Sequence, residues 1–314
     1  MKPPVFKYLA PASLDEAVAA LADDEAKVLA GGQSLVPMLN FRLLAPSLLV
    51  DIGRIPGLDY IKDNGAAGLR IGAMTRHHSL ETSELVRQRF PVLNAAMQYV
   101  AHLAIRNRGT IGGSLCHADP AAELPGLMLL LDAQLVTTQR TIAAVDFYQG
   151  TLDNVLAEDE ILTEIQLPAL PAGTGWGFEE FTRRSGDFAL TAVGATVADD
   201  VRIAVIGAHD TPLRLTKAEA LYPDMDAVVA AARDAVSPND DLHASADYRR
   251  HLVGILTRRA LESATRLRSA SMASLTSGRL NHAFRWPIFC ATNWASRAPM
   301  WVANRAFAVP VQSS

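Results

Sequence analysis

The chain has 314 residues, 49% of them hydrophobic and 20% charged, with a formal net charge of −4. That length gives room for about two domains around a real core, and the negative balance argues against a nucleic-acid binder. Its two cysteines, Cys116 and Cys290, exclude a disulfide framework and any four-thiolate metal or iron–sulfur site made by this chain alone.

Met1–Lys7 lacks the apolar stretch of a secretory signal. The first helix is announced by the capping box Ser13-Leu14-Asp15-Glu16, with Leu14, Ala17, Val18 and Leu21 at helical spacing. Lys27–Ala30 reads as a short strand running into Gly31-Gly32, and Ser34–Leu43 as a helix. The first glycine pair therefore sits at a strand-to-helix junction, where free amides meet the positive end of a helix dipole. Leu48–Ile52 and Leu69–Met74 read as strands, separated by turn signals at Pro56-Gly57 and Asn64-Gly65. Helices are expected over Ser79–Arg87 and Pro91–Leu103, then around Leu127, Leu130 and Leu131, followed by a strand at Leu135–Thr138. The most apolar run, Leu124–Leu131, is far shorter than the ~20 residues of a membrane span, so a cytoplasmic protein without a span is expected.

Pro168, Pro171, Gly173, Gly175 and Gly177 mark a boundary. Beyond it Gly177–Thr182, Ala189–Val197 and Val201–Ile206 alternate like antiparallel strands, and helices follow at Met225–Val236 and from Ala246 to about Leu267. The fold class expected is α+β, with domains at 1–175 and 176–267. After Glu262 the chain holds six arginines and neither acid nor lysine, and three of its four tryptophans. Periodicity fades there, so 268–314 is expected to be an atypical, poorly ordered tail.

Two stretches carry the chemistry. Ala30-Gly31-Gly32-Gln33-Ser34 is echoed by Thr110–Pro125, which begins Thr-Ile-Gly-Gly-Ser and ends Glu-Leu-Pro. Paired glycines beside a helix start let several backbone amides approach one phosphate, and the hydroxyls of Ser34, Thr110 and Ser114 can donate to it. Asp119 and Glu123 repel phosphate; their partners are sugar or ribityl hydroxyls, or amides of their own loop. That division of labour suits a dinucleotide or flavin nucleotide. Neither a G-x-G-x-x-G after a strand nor a G-x-x-x-x-G-K-[ST] occurs, which excludes the common Rossmann and P-loop signatures. By themselves, the Gly-Gly pairs read equally as tight turns.

Ala30–Pro37 together with Arg106–Ser114 resembles the FAD-binding medium subunit of molybdenum hydroxylases, of the xanthine dehydrogenase and aerobic carbon monoxide dehydrogenase type. Asp51-Ile52, Ile71–Thr75, Asp159–Leu162, Arg184–Ala189 and Tyr248–Leu252 extend the resemblance over about residues 4–265 in family order; the tail matches nothing in the family. The resemblance implies a PCMH-type (vanillyl-alcohol-oxidase-like) FAD-binding domain of two α/β subdomains, plus a small C-terminal α+β domain. It implies that Ala30, Gly31, Gly32, Gln33 and Ser34, with Leu35 after them, and Thr110, Ile111, Gly112, Gly113 and Ser114 clasp the FAD diphosphate. Glu123 is implied to bind a sugar or ribityl hydroxyl and Leu162 to lie against the isoalloxazine, with Val100 and Thr182 at further contacts. Implied partners are a molybdenum-cofactor large subunit and a 2Fe-2S small subunit, as a dimer of heterotrimers, with an external electron acceptor.

Other residues have plainer readings. His77-His78 is read as surface, because adjacent histidines point apart and no third ligand stands nearby. His117 either approaches the cofactor or braces its loop, and Cys116 is read as a small buried residue. Arg106 and Arg108 either lend positive potential to a diphosphate or form a face for another subunit. Asp187 braces the loop across the flavin or serves a turn. No hydrolase constellation stands out. The rivals to an electron-transfer subunit are a free-standing flavin oxidase of the same fold and a scaffold subunit that has lost FAD.

Overall fold

The computed structural model describes residues 2–22 and 25–276. The first unit is a three-stranded parallel sheet, built from β1 (Lys7–Leu9), α1 (Leu14–Ala20), β2 (Ala26–Leu29), α2 (Leu35–Asn40) and β3 (Leu48–Asp51), in the order β1-β3-β2. Ser13 caps α1, its hydroxyl accepting the Glu16 N–H at 3.2 Å. The reciprocal half of the box lands one residue early, because Glu16 accepts the N–H of Ala12 at 2.8 Å, not that of Ser13. Ala17, Leu21, Val50 and Ile52 form its core with Met74 and Ile161 from the next unit.

The second unit comprises β4 (Ile61–Asp63), β5 (Leu69–Gly72), α3 (His77–Thr82), α4 (Glu84–Arg89), α5 (Pro91–Ala96), α6 (Leu103–Arg106), α7 (Ile111–His117), α8 (Glu123–Leu130), β6 (Gln134–Thr137), β7 (Thr141–Ala143), β8 (Tyr148–Gly150), β9 (Asp153–Asn154) and β10 (Leu162–Leu167). Its antiparallel sheet runs β4-β5-β10-β6-β7, so the last strand in sequence lies in the middle. Two expected helices are interrupted. Ser83 takes an extended conformation between α3 and α4, its hydroxyl accepting the Val86 N–H to cap the latter. The helix expected over Pro91–Leu103 stops at Ala96, and Ala101 turns left-handed at φ 44°.

The C-terminal unit is an antiparallel meander of β11 (Gly175–Phe181), β12 (Thr191–Val197), β13 (Val201–Ile206) and β14 (Leu213–Arg214), followed by α9 (Thr216–Glu219), α10 (Met225–Ala235) and α11 (Ala246–Thr276). One face of this sheet receives α10 and α11 through Val193, Ala195, Ile203, Val205, Val253 and Leu256. The other face, with Phe178, Ala192, Ala204 and Ile206, joins the core of the second unit. Helix α8 lies between, and every residue from Glu123 to Leu130 is buried. That double covering is why α8 is apolar all round.

Helix α11 continues to Thr276, past the end read at Leu267. Nothing in 268–276 breaks a helix, and Arg268 pairs with Asp199 at 3.0 Å. The start of the expected tail, 268–276, is therefore helical; the rest of that reading, 277–314, lies outside the described residues. No described helix is long and apolar enough to cross a membrane.

Candidate functional site

The two glycine motifs, some 80 residues apart in sequence, lie in contact. The chain leaves β2 at Leu29 and turns through Ala30–Ser34 into α2. Gly31 presses on the second motif's approach: a Cβ there would fall 2.9 Å from the Gly109 Cα and against the Arg108 carbonyl. Gly32 has φ 73°, the left-handed region that glycine adopts without strain. From the other side, a Cβ on Gly113 would stand 3.4 Å from the Ala30 Cβ and 3.9 Å from the Gly31 nitrogen.

Their backbone amides are in different states. Among the described residues no hydrogen bond takes up the N–H groups of Gly31, Gly32, Gln33, Ser34 or Leu35, and the first bond of α2 begins only with Val36 N–H to Gly32 O at 3.1 Å. Successive unpaired amides in one tight turn form an anion cradle. In the second motif Ile111 donates to Thr75 O at 3.0 Å, Gly112 to Ala73 O at 2.8 Å and Ser114 to Thr110 O at 3.0 Å. Gly113 donates to the Thr110 hydroxyl at 3.1 Å, and Thr110 itself is 1% exposed as the cap of α7. The second motif thus offers the first its glycine surface. The half-buried Ser34 and Ser114 hydroxyls make no hydrogen bond among the described residues.

The second motif is fixed from behind. The His77 N–H bonds Gly109 O at 3.0 Å and its Nε2 lies 3.0 Å from Thr110 O, so the neutral ring donates to that carbonyl. Burial pushes His77 down to about 4. The surface placement expected for both histidines is therefore wrong for His77, which is 6% exposed, while His78 sits outside near Glu81. Arg106 pairs with Glu81 at 2.9 Å and donates to the carbonyls of Val100 and Ala101, holding the left-handed turn. Arg108 is exposed. Gly112 packs on Ala73, whose N–H bonds Thr163 O at 2.9 Å, and so the wall continues to Leu162, 3% exposed at the start of β10. Burial pushes the Cys116 thiol up to about 12, an unreactive state.

The acids lie at the far end of the second stretch. After Ala118, left-handed at φ 53°, Asp119 accepts the Ala121 N–H at 2.9 Å and so braces its own turn. His117, half-buried beside Asp119, is held below its ordinary range by burial. Glu123 opens α8 at 4% exposure, and burial, with the Asp119 charge added, pushes its carboxyl up to about 7. Sequence reasoning missed Glu180 on β11. Both its carboxyl oxygens are buried without a hydrogen-bond partner, and burial, then the Glu123 charge, pushes it up to about 9. The signal available was the alternation Phe178, Glu180 on one face of a strand. Pro125 lies inside the first turn of α8. Among the described residues no three His, Cys, Asp or Glu side chains gather as a metal site. A cleft of about 520 Å³ between α1 and the β6–β10 region is lined by Leu14, Asp15, Thr137 and Thr163, and includes no residue of either glycine motif.

A flavin dinucleotide suits this donor set: open amides with the Ser34 hydroxyl among them could take a diphosphate, with an apolar wall and buried acids that could take sugar hydroxyls. Residues 4–170 match the model of the FAD binding domain in molybdopterin dehydrogenase, and 176–264 that of the CO dehydrogenase flavoprotein C-terminal domain. The chain is 41% identical to the 6-hydroxypseudooxynicotine dehydrogenase complex subunit alpha of Paenarthrobacter nicotinovorans, over 84% of this chain and 96% of that one. It is also 41% identical to the nicotine 6-hydroxylase medium subunit of the same organism, over 84% and 99%. Among solved structures, carbon monoxide dehydrogenase from Hydrogenophaga pseudoflava superimposes with a TM-score of 0.82 at 38% identity, over 85% of this chain and 99% of that chain. With its PCMH-type FAD-binding domain, its C-terminal α+β domain and FAD as cofactor, the chain belongs to the family of FAD-binding medium subunits of molybdenum hydroxylases.

Proposed function

We propose that this chain is the electron-transfer subunit of a cytoplasmic, multi-subunit molybdenum hydroxylase. Electrons released at the molybdenum cofactor of a large subunit pass through the 2Fe-2S clusters of a small subunit and reach an external acceptor by way of the FAD held here. The carrying observation is the open amide cradle of Gly31–Leu35 set against Gly113. The bound flavin supplies the redox chemistry. The chain's own residues bind and orient: the Gly31–Leu35 amides and the Ser34 and Ser114 hydroxyls take the diphosphate, Glu123 takes a sugar hydroxyl, and Leu162 walls the ring from water. Ala30, Thr110, Ile111 and Gly112 hold those groups in place, and Asp119 shapes the turn before Glu123. In this reading residues 1–175 form the flavin-holding part and 176–267 its C-terminal companion. Two cysteines cannot ligate a cluster of four thiolates, so the clusters belong to a partner. The assembly expected is a dimer of heterotrimers.

Native purification, with absorption spectroscopy and identification of co-purifying chains, tests this. Flavin and iron–sulfur absorption together with a large and a small partner is the expected result. A colourless chain overturns it, as does a solitary flavoprotein that turns over a small substrate.

A further inference from the structure

Glu180 stands where the fold gives a carboxyl nothing to bond. In the sheet register Glu180 pairs with Ala192, and Ala192 with Ile206; residues paired across antiparallel strands share a face. That face is the one α8 covers, since a Cβ on Gly126 would come within 2.7 Å of the Ile206 Cδ1. Gly126 is one turn along α8 from Glu123. Glu180 therefore points, beside Phe178, toward the α8 side of the sheet. Its neighbour Glu179 faces the other way, toward Arg259 and Arg266 of α11. Both Glu180 oxygens are buried and unpartnered, a condition that costs a fold stability. The row around it is otherwise apolar, so packing gives no reason for an acid there.

We propose that Glu180 is a second acid of the FAD site, facing Glu123 from the C-terminal domain so that the two carboxyls hold one hydroxyl of the cofactor between them. The inference rests on the FAD site assigned above. Two buried carboxyls so placed cannot both ionise readily: the Glu123 charge raises Glu180, burial and the Asp119 charge raise Glu123, and the proton retained makes one a donor while the other accepts. A hydroxyl, being both donor and acceptor, completes that pair. The hydroxyl belongs either to the ribityl chain or to the adenosine ribose, and the probes below separate them.

The test is titration of FAD into the flavin-stripped full chain, followed by flavin fluorescence, alongside thermal melting without flavin. Glu180→Ala is expected to weaken FAD about tenfold or more while its flavin-free melt stays at or above that of the wild type, because an orphaned polar group has been removed. Glu180→Gln, which keeps a donor and an acceptor, retains most of the affinity, and Glu179→Gln, on the opposite face, leaves it unchanged. A parallel loss with FMN places the ribityl chain at the pair; a parallel loss with ADP places the ribose there. Wild-type FAD affinity in Glu180→Ala overturns the proposal, as does an affinity loss matched by a lowered flavin-free melt. A wild-type chain that binds no FAD sinks the underlying site assignment, and is a different result.

Discussion

Gly31-Gly32 and Gly112-Gly113 look alike in sequence and do different physical jobs. In the first, Gly31 gives close approach to Arg108–Gly109, Gly32 gives a left-handed turn, and the amides that follow stay open. In the second, the amides of Ile111, Gly112, Gly113 and Ser114 are all bonded within the protein, and the glycines exist so that α7 can sit on Ala73 and against Ala30. One motif leaves its amides open and the other is the wall it leans on. A Gly-Gly pair followed closely by Ser reports that backbone must come close; it does not report what must come close to it.

Substitutions can pull the two roles apart. Gly112→Val drives a side chain into the Ala73 Cβ and carbonyl, each 2.7 Å from the Cβ position. We expect a loss above about 3 kcal/mol, seen as a collapse of flavin-free thermal stability; an intact melt with only FAD affinity lost would reverse the roles. Acid attacks the same wall through His77. Its folded value of about 4 lies below the ordinary 6.5, so the unfolded chain takes a proton that the folded ring refuses. His77 therefore contributes fully above the ordinary value, and up to about 3 kcal/mol is lost as pH falls from about 6.5 to 4. The wild type, melted across that range, should lose more stability than His77→Gln.

Gly32→Ala imposes left-handed strain of about 1–2 kcal/mol on the cradle, and should lower both the melt and FAD affinity. Least disruptive are Ser34→Ala and Ser114→Ala, each expected to weaken FAD about tenfold, about 1.4 kcal/mol, with no change in flavin-free melting. Equal FAD binding in both variants would show that the hydroxyls face elsewhere.

Local signals made much of this fold readable. Ser13 caps its helix through its side chain, and alternation gave β11, β12 and β13 to within two residues at each end. What was hidden depends on distant partners. Nothing local in Leu162–Leu167 says that it inserts between β5 and β6. The apolar spacing of Pro91–Leu103 continues past Ala96, while the turn that ends the helix is held by Arg106 from further along the chain. At the site, residue types announced both glycine motifs and Glu123. Which amides are open was illegible, because the acceptors that occupy the second set, Ala73 and Thr75, lie far upstream. Alternation puts Glu180 on the Phe178 face, but an acid in a strand reads as solvent-facing until α8 is seen to cover that side.

The Gly207 N–H donates to Pro120 O at 2.8 Å, and the Gly207 carbonyl is in turn held by Arg249 of α11 at 2.9 Å. Arg249 is 7% exposed and pairs with Asp241 at 2.6 Å. The turn that carries Asp119 and leads to Glu123 is thus guyed to the closing helix through two hydrogen bonds. Anyone trimming this subunit to a minimal flavin carrier would cut that line. Such a fragment would keep both glycine motifs yet leave the acid-bearing turn without its outer support, so the natural unit for engineering or transplantation runs at least through α11.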